Sequence, residues 1–410
     1  MDRRTASLHS LLSLLVGCGG GPPPAGPERP APELVIDGAR LLDPESGEIG
    51  APAAVSIRDG RILEVTAAPY AAGSASAEAV EVVDAGGHFL MPGLWDLHVH
   101  LGDLDDSVPP LLVTQGVTAV RDMGGHLDRL LPLRERIRRG ELLGPRILMA
   151  GPTLNGAPNA PFHRVIEDAE AARAAVAELA DVVDFFKTHN ATGREAWLGL
   201  LEAARGHGKV VAGHVPTGVS PLEACEAGQA SIEHIATIFE GTYVASFESE
   251  LEAFQGMESW LAGEAPGLAD CFAAHGTLFV PTLRAYERRA LRADDWDHPD
   301  PRWRYVGEEL RERGRAEGEP TEIDRDAEII SLRLSLVEAG VELVRLLHER
   351  GAPVGAGVDL GLGMLPGFDL HAEIRLLAQA GLTPAEAIRT ATSGPGAAAG
   401  ADPLTGQIEA

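Results

Sequence analysis

Two histidines one residue apart close the segment "LWDLHVH", residues 94–100. Successive side chains of an extended strand point to opposite faces, so His98 and His100 project to one side, about 7 Å apart along the strand. Two imidazoles so placed can hold one cation between them. Later apolar segments end on residues of the same chemistry: Lys187 in "VDFFKTH", His214 in "KVVAGHV", His234 in "ASIEHIA" and Asp359 in "PVGAGVDLG". Nitrogen and oxygen donors with no thiolate suit Zn²⁺ best, and Mn²⁺, Fe²⁺ or Co²⁺ are served by the same set. The lysine is the odd member, because an ammonium does not bind a cation. A buried lysine loses its proton more readily, and the neutral amine can add CO₂. The resulting carbamate has the charge and geometry of a carboxylate and can bridge two metals. The other reading of Lys187 is a lysine that holds a substrate carboxylate or a neighbouring aspartate.

These residues become one site only if the elements carrying them converge. From Leu94 onward short apolar strands alternate with amphipathic helical segments, and the strands number eight when "GTLFVPTL" and "PVGAGVDLG" are included. That repeat predicts an α/β fold, a (β/α)8 TIM barrel over residues 91–400, whose strands end at a common mouth. A charged helical insertion at about 284–345 reads as a solvated surface helix pair, with a lid over the mouth as the alternative. Ahead of the barrel, residues 33–90 read as short strands separated by Gly, Pro and Asp turns, a small β-sandwich domain.

The N-terminus has a different character. Residues 1–18, "MDRRTASLHSLLSLLVGC", have two early arginines, a short apolar stretch and a final Leu-Val-Gly-Cys, the layout of a secretory signal. The last four resemble a bacterial lipobox, with Cys18 as the lipidated residue. The Gly/Pro run of residues 19–32 is a linker. The expected location is outside the cytoplasm, facing the periplasm or cell exterior, with the lipid as the only membrane contact. A homo-oligomer is compatible with this arrangement. Cys225 and Cys271 sit in Ala-rich helical stretches and read as small buried residues with no disulfide between them. A formal net charge of -27 argues against a nucleic-acid partner, since a phosphate backbone would be repelled.

"MPGLWDLHVHL" resembles the first-strand motif of the amidohydrolase superfamily. "GVTAVRDMGG", "DFFKTHNATG", "SIEHI" and "LPGFDLHAEIRLLAQAGLTPAEAIRTAT" are similar to its imidazolonepropionase-like and prolidase-like branch. The resemblance implies that His98 and His100 bind a first metal and His214 and His234 a second. Lys187 is then the carboxylated bridge (N6-carboxylysine), and Asp359 both a ligand and the general base. It further implies a binuclear hydrolase that cleaves an amide by a metal-bridging hydroxide, with Xaa-Pro or Xaa-Arg/Lys dipeptides or N-acyl amino acids as first substrates. Two alternatives stand beside it: a mononuclear enzyme that opens a cyclic amide or deaminates a heterocycle, and a surface lipoprotein that binds a ligand without turnover. Arg121 and His163 are weaker candidates for substrate contact, with pairing to Asp122 or another acid as the competing role of Arg121. His371 is expected near the site. His88, His126, His189, His207, His275, His298 and His348 lack a strand-end position and read as ordinary. Residues 401–410, "ADPLTGQIEA", resemble the start of a segment that completes the small domain in other members.

Overall fold

The computed structural model describes residues 32–70, 80–239, 257–361, 363–395 and 407–408. The signal-like segment with Cys18, the linker up to residue 31 and most of residues 401–410 lie outside these. The N-terminal strands form one five-stranded sheet: β1 (Leu34–Leu42), β2 (Ile49–Arg58), β3 (Arg61–Ala67), β4 (Glu81–Asp84) and β5 (Phe89–Leu90). The order is β3-β2-β1-β4, with β5 also on β1. The β2–β3 hairpin turns through Asp59 and Gly60, both at positive φ, as a tight Asp-Gly turn requires.

The barrel follows. Its strands are β6 (Leu94–Val99), β7 (Val117–Asp122), β8 (Arg146–Met149), β11 (Phe186–Thr188), β12 (Val211–Gly213), β13 (Ser231–Glu233) and β14 (Leu278–Val280). Two short strands, β9 (Thr153–Asn155) and β10 (His163–Val165), extend the loop after β8 and pair alongside β11. The eighth strand is irregular. It closes the ring through the parallel bridges Phe279–Val354 and Val99–Leu360 and the bond from Leu97 N to Ala356 O at 3.0 Å.

Alternation along the strands fills the interior with Leu97, Met123, Leu148, Phe185, Leu278 and Val280, all buried. A second apolar layer lies between strands and helices, anchored by Val120, Ile147, Phe186, Trp197 and Phe272. In β6 the register shifts between Asp96 and Val99. This irregularity reverses the facing of the side chains. Trp95 and Leu97 point into the barrel, yet His98 and His100 do so as well, while Val99 packs outward.

The expectation of two unlinked cysteines is corrected by a Cys225–Cys271 disulfide, with Cα atoms 6.4 Å apart. The helix Pro221–Glu226 packs on the helix Ala265–His275, which brings the two buried sulfurs together across 46 residues of chain. Nothing in the sequence spacing shows this, because it depends on how two barrel helices meet. From the loop it closes, this cross-link contributes about 3–4 kcal/mol. Cys271→Ser should lower the urea midpoint accordingly, and an unchanged midpoint would refute the contribution.

Candidate active site

The ends of the first, fourth, fifth, sixth and eighth barrel strands meet in a cluster of imidazoles with one carboxylate and one lysine. Asp359 Oδ1 lies 3.4 Å from His98 Nε2 and 3.3 Å from His100 Nε2. Ring centroids separate His98 from His100 by 5.4 Å, His98 from His234 by 4.5 Å and His234 from His214 by 4.8 Å. Donor atoms of His98, His234 and Asp359 all fall within 4.8 Å of one another. Lys187 is buried in the same cluster, beside Gly213, where a Cβ would come within 2.8 Å of its Cδ.

Three of the positioning residues hold left-handed backbone: His234 (φ 69°), Thr282 (φ 51°) and Asp359 (φ 54°). Each such non-glycine conformation costs on the order of 1–3 kcal/mol and persists only where its surroundings hold it. The kink at His234 has a use. It lets both Glu233 and His234 reach His98, which simple alternation would forbid. Thr282 then fixes the His234 ring, Nδ1 to Oγ1 at 2.9 Å.

Around this cluster His98, His100 and His234 are each oriented by their second nitrogen. His98 Nδ1 is 3.0 Å from Glu233 Oε2, and His100 Nδ1 is 2.8 Å from Gly124 O. The carboxylate of Glu233 also accepts from Ser231 Oγ and, at 2.7 Å, from Arg121. Arg121 is therefore no substrate contact. It is fully buried, donates from Nε to Leu97 O at 2.8 Å, and serves as the counter-charge of Glu233 inside the barrel. The alternative partner Asp122 is engaged elsewhere, accepting from Leu101 N at 2.7 Å and Gly124 N at 3.2 Å.

Glu233→Gln would leave a buried guanidinium without its partner and should destabilise the fold by about 3–5 kcal/mol. It should also weaken metal binding by roughly 10–100-fold through the loosened His98. A denaturation curve and a metal titration read the two effects separately.

The electrostatics suit a cation. Burial first, and the charge of Lys187 second, hold His98 and His214 well below the usual imidazole range. Burial and His98 bring His234 down to about 3. All three are thus neutral, the form that ligates. His98 Nε2 and His214 Nδ1 are buried and lack a hydrogen-bond partner among the described residues, which fits atoms meant for a metal. Burial opposes the charge on Asp359, but His98, His100 and His234 outweigh it and keep the carboxyl well below its ordinary range. Burial lowers Lys187 to about 8, although Glu233 and Asp359 pull the other way. Asp96, under the site, accepts from His98 N and Val358 N at 3.2 Å each and is pushed up to about 8 by burial. It ties the first strand to the last.

His163 lies at the margin of the cluster. Its ring sits 5.1 Å from His189, and Asn155 Nδ2 is 3.2 Å from its Nδ1. His371 is not part of the site; its Nε2 pairs with Gln115 O on an exposed stretch. His189, read as ordinary, is the reverse case. It stacks on His214 with centroids 4.0 Å apart and is brought down to about 3 by burial and Lys187. The signal was present, since Phe185, Lys187 and His189 alternate onto one face.

Comparison with known proteins agrees with this geometry. The profile of the Amidohydrolase family matches residues 89–410. An adenine deaminase of Paracoccus denitrificans (strain Pd 1222) is 29% identical over 219 residues, 50% of this chain and 36% of that protein. The matched stretches span only 15% and 36% of the length of the first two curated relatives. Among solved structures, a bottromycin amidohydrolase superposes with a TM-score of 0.72 at 22% identity, covering 93% of this chain and 81% of the other. A Xaa-Pro dipeptidase with bound methionine gives 0.65 at 20% identity, covering 92% and 91%. The barrel, the N-terminal sheet and the profile match together make this chain a member of the amidohydrolase family.

Proposed function

We propose that this protein is a metal-dependent hydrolase that cleaves the amide C–N bond of a small substrate, a dipeptide or an N-acyl amino acid. The observation that carries this is the convergence of His98, His234 and Asp359 donors within 4.8 Å, with His98, His214 and His234 held toward the neutral form and a buried lysine beside them. His98, His100 and Asp359 would hold one divalent ion, Zn²⁺ first among the candidates. His214 and His234 would hold a second, with Lys187 as N6-carboxylysine between them. When bound, such ions lower the pKa of water and polarise a carbonyl oxygen.

The chain's own residues do the rest. Asp359, ionised at neutral pH, accepts the proton of the attacking water on its carboxylate and returns it to the departing nitrogen. His98 and His100 flank Oδ1 and fix its direction, while the Glu233–Arg121 pair holds His98 in place. His163 and His189 border the site, where a substrate would meet them.

Similarity to a Xaa-Pro dipeptidase supports the dipeptide class, and similarity to an adenine deaminase supports a second reading, one-metal deamination. Metal analysis with a zinc-loaded activity screen separates them. Xaa-Pro, Xaa-Arg/Lys and N-acyl amino acids are tested beside lactams and aminopurines. Full activity at one equivalent per chain would sink the binuclear reading, and turnover of aminopurines alone would favour deamination.

We further infer export with lipidation at Cys18. The Cys225–Cys271 disulfide supports export, because such bonds persist in oxidising compartments. Cys18→Ser should move the protein from the membrane fraction to the soluble one. Retention in the membrane would refute the anchor.

A further inference from the structure

The insertion between the seventh and eighth strands, with Gly363 and Met364, lines a half-open cavity of about 850 Å³ that the chemistry above does not use. Its volume is that of a small-molecule site. Arg288, Arg289, Arg292, Arg311 and Arg315 line it, against three carboxylates, Asp295, Glu308 and Glu312. An excess of arginine is unexpected in a chain of net charge -27.

Not all of this charge is committed. Arg288 donates to Gly363 O at 3.0 Å and lies 3.5 Å from Asp295 and 3.7 Å from Asp369, so it is held as part of the wall. Glu308 and Glu312 are exposed, where water screens them. Arg311 differs, because its Nε is enclosed with no hydrogen-bond partner among the described residues. Two indoles, Trp296 and Trp303, supply flat apolar wall, and Arg288 sits 5.9 Å from the Trp303 ring.

The chain links two wall residues of the cavity to the barrel mouth. Ala285 on its wall is three residues beyond Thr282, the partner of His234, and Met364 is five beyond Asp359. At about 3.3–3.6 Å per residue Ala285 lies within roughly 11 Å of Thr282, and Met364 within roughly 18 Å of Asp359. The insertion is also fastened to the loop after His100, by Gly307 N to Ser107 Oγ at 2.9 Å and by Arg313 to Asp103 O.

We propose that this cavity receives a carboxylate-bearing, ring-containing part of the substrate, with Arg311 pairing the carboxylate and the indoles packing the ring. Arginine is suited to the first task by its planar fork, and tryptophan to the second. The inference rests on the hydrolase reading for the word substrate, and on the cavity alone for the ligand class.

The test is calorimetric titration of the zinc-loaded full chain with N-acetyl-L-phenylalanine and with its uncharged amide. The acid should bind roughly 10–100-fold more tightly, the range of a charge-assisted hydrogen bond. Arg311→Met should reduce the acid to the affinity of the amide, and the preference should survive removal of metal by chelation. Arg315→Gln, on the exposed part of the wall, should narrow the preference too and serves if Arg311→Met does not fold. A preference that disappears with the metal and ignores both substitutions means that the carboxylate sits on the metal, and overturns the proposal. Binding that behaves as expected in a protein that hydrolyses none of the screened amides leaves the cavity standing and removes the hydrolase reading. Equal binding of acid and amide by a chain that hydrolyses amides does the opposite.

Discussion

Asp359→Asn is expected to lower kcat/KM by roughly 10³–10⁴-fold while the chain stays folded. General acid–base work of this kind contributes about 10²–10⁴ on its own, and the substitution also removes a charged donor from the His98–His100–Asp359 cluster. Asparagine is the informative choice because of the backbone. Asp359 has φ 54°, a region that Asn tolerates and most side chains do not. Alanine there would add strain to the lost chemistry, and the two effects could not be separated. The amide keeps the shape and can accept a hydrogen bond from an imidazole, but it cannot take a proton near pH 7. Kinetics, zinc content and the thermal midpoint should be measured on one preparation. A midpoint near the parent's, zinc retained and activity gone would assign the carboxylate to proton transfer. Activity within tenfold of the parent would remove Asp359 from that role.

The sequence makes the barrel and the residues gathered at its mouth legible for one reason, that strand ends in a parallel barrel must share a mouth. His98, His100, Lys187, His214, His234 and Asp359 could be selected because each ends a short apolar run. What was missed shares a different reason. The counter-ion Glu233 and its partner Arg121 meet across the barrel interior, 112 residues apart, so no local pattern pairs them. Arg121 in isolation looks like any arginine near a mouth. Its burial is a property of the closed ring. The irregularity in β6 is equally silent in sequence, yet without the shift between Asp96 and Val99 the parity that buries Leu97 would turn His98 and His100 away. His189 and Thr282 were readable. Each continues an inward alternation, 185–187–189 and 278–280–282.

On the proposed binuclear reading, Lys187→Ala should reduce bound zinc from two equivalents to one or fewer and lower activity by at least about 10³-fold. Short carboxylic acids should then restore part of both. The physical ground is the difference between an ammonium and a carbamate in this place. Lys187 is 2% exposed and shares its surroundings with His98, His214 and His234, none of which can serve as a counter-ion. Burial brings its pKa from 10.5 to about 8, so a useful fraction is neutral amine near pH 7, the form that adds CO₂.

The sign of the pH effect follows. In the metal-free protein the unfolded chain binds the lysine proton up to its ordinary pKa of 10.5, while the folded chain releases it near 8. Between these values the unfolded state carries more protons, so stability rises with pH across that window and the full penalty is felt below it. Zinc uptake by the apoprotein should accordingly quicken as pH rises toward 8 and with added bicarbonate. Loss of the ammonium in Lys187→Ala should flatten the stability profile between pH 8 and 10.5. Acetate or propionate, small enough for the space vacated beside Gly213, would supply the missing carboxylate without a covalent link. If instead Lys187 pairs a substrate carboxylate as a cation, zinc stays at two equivalents in the variant, KM rises more than kcat falls, and bicarbonate has no effect on metal uptake.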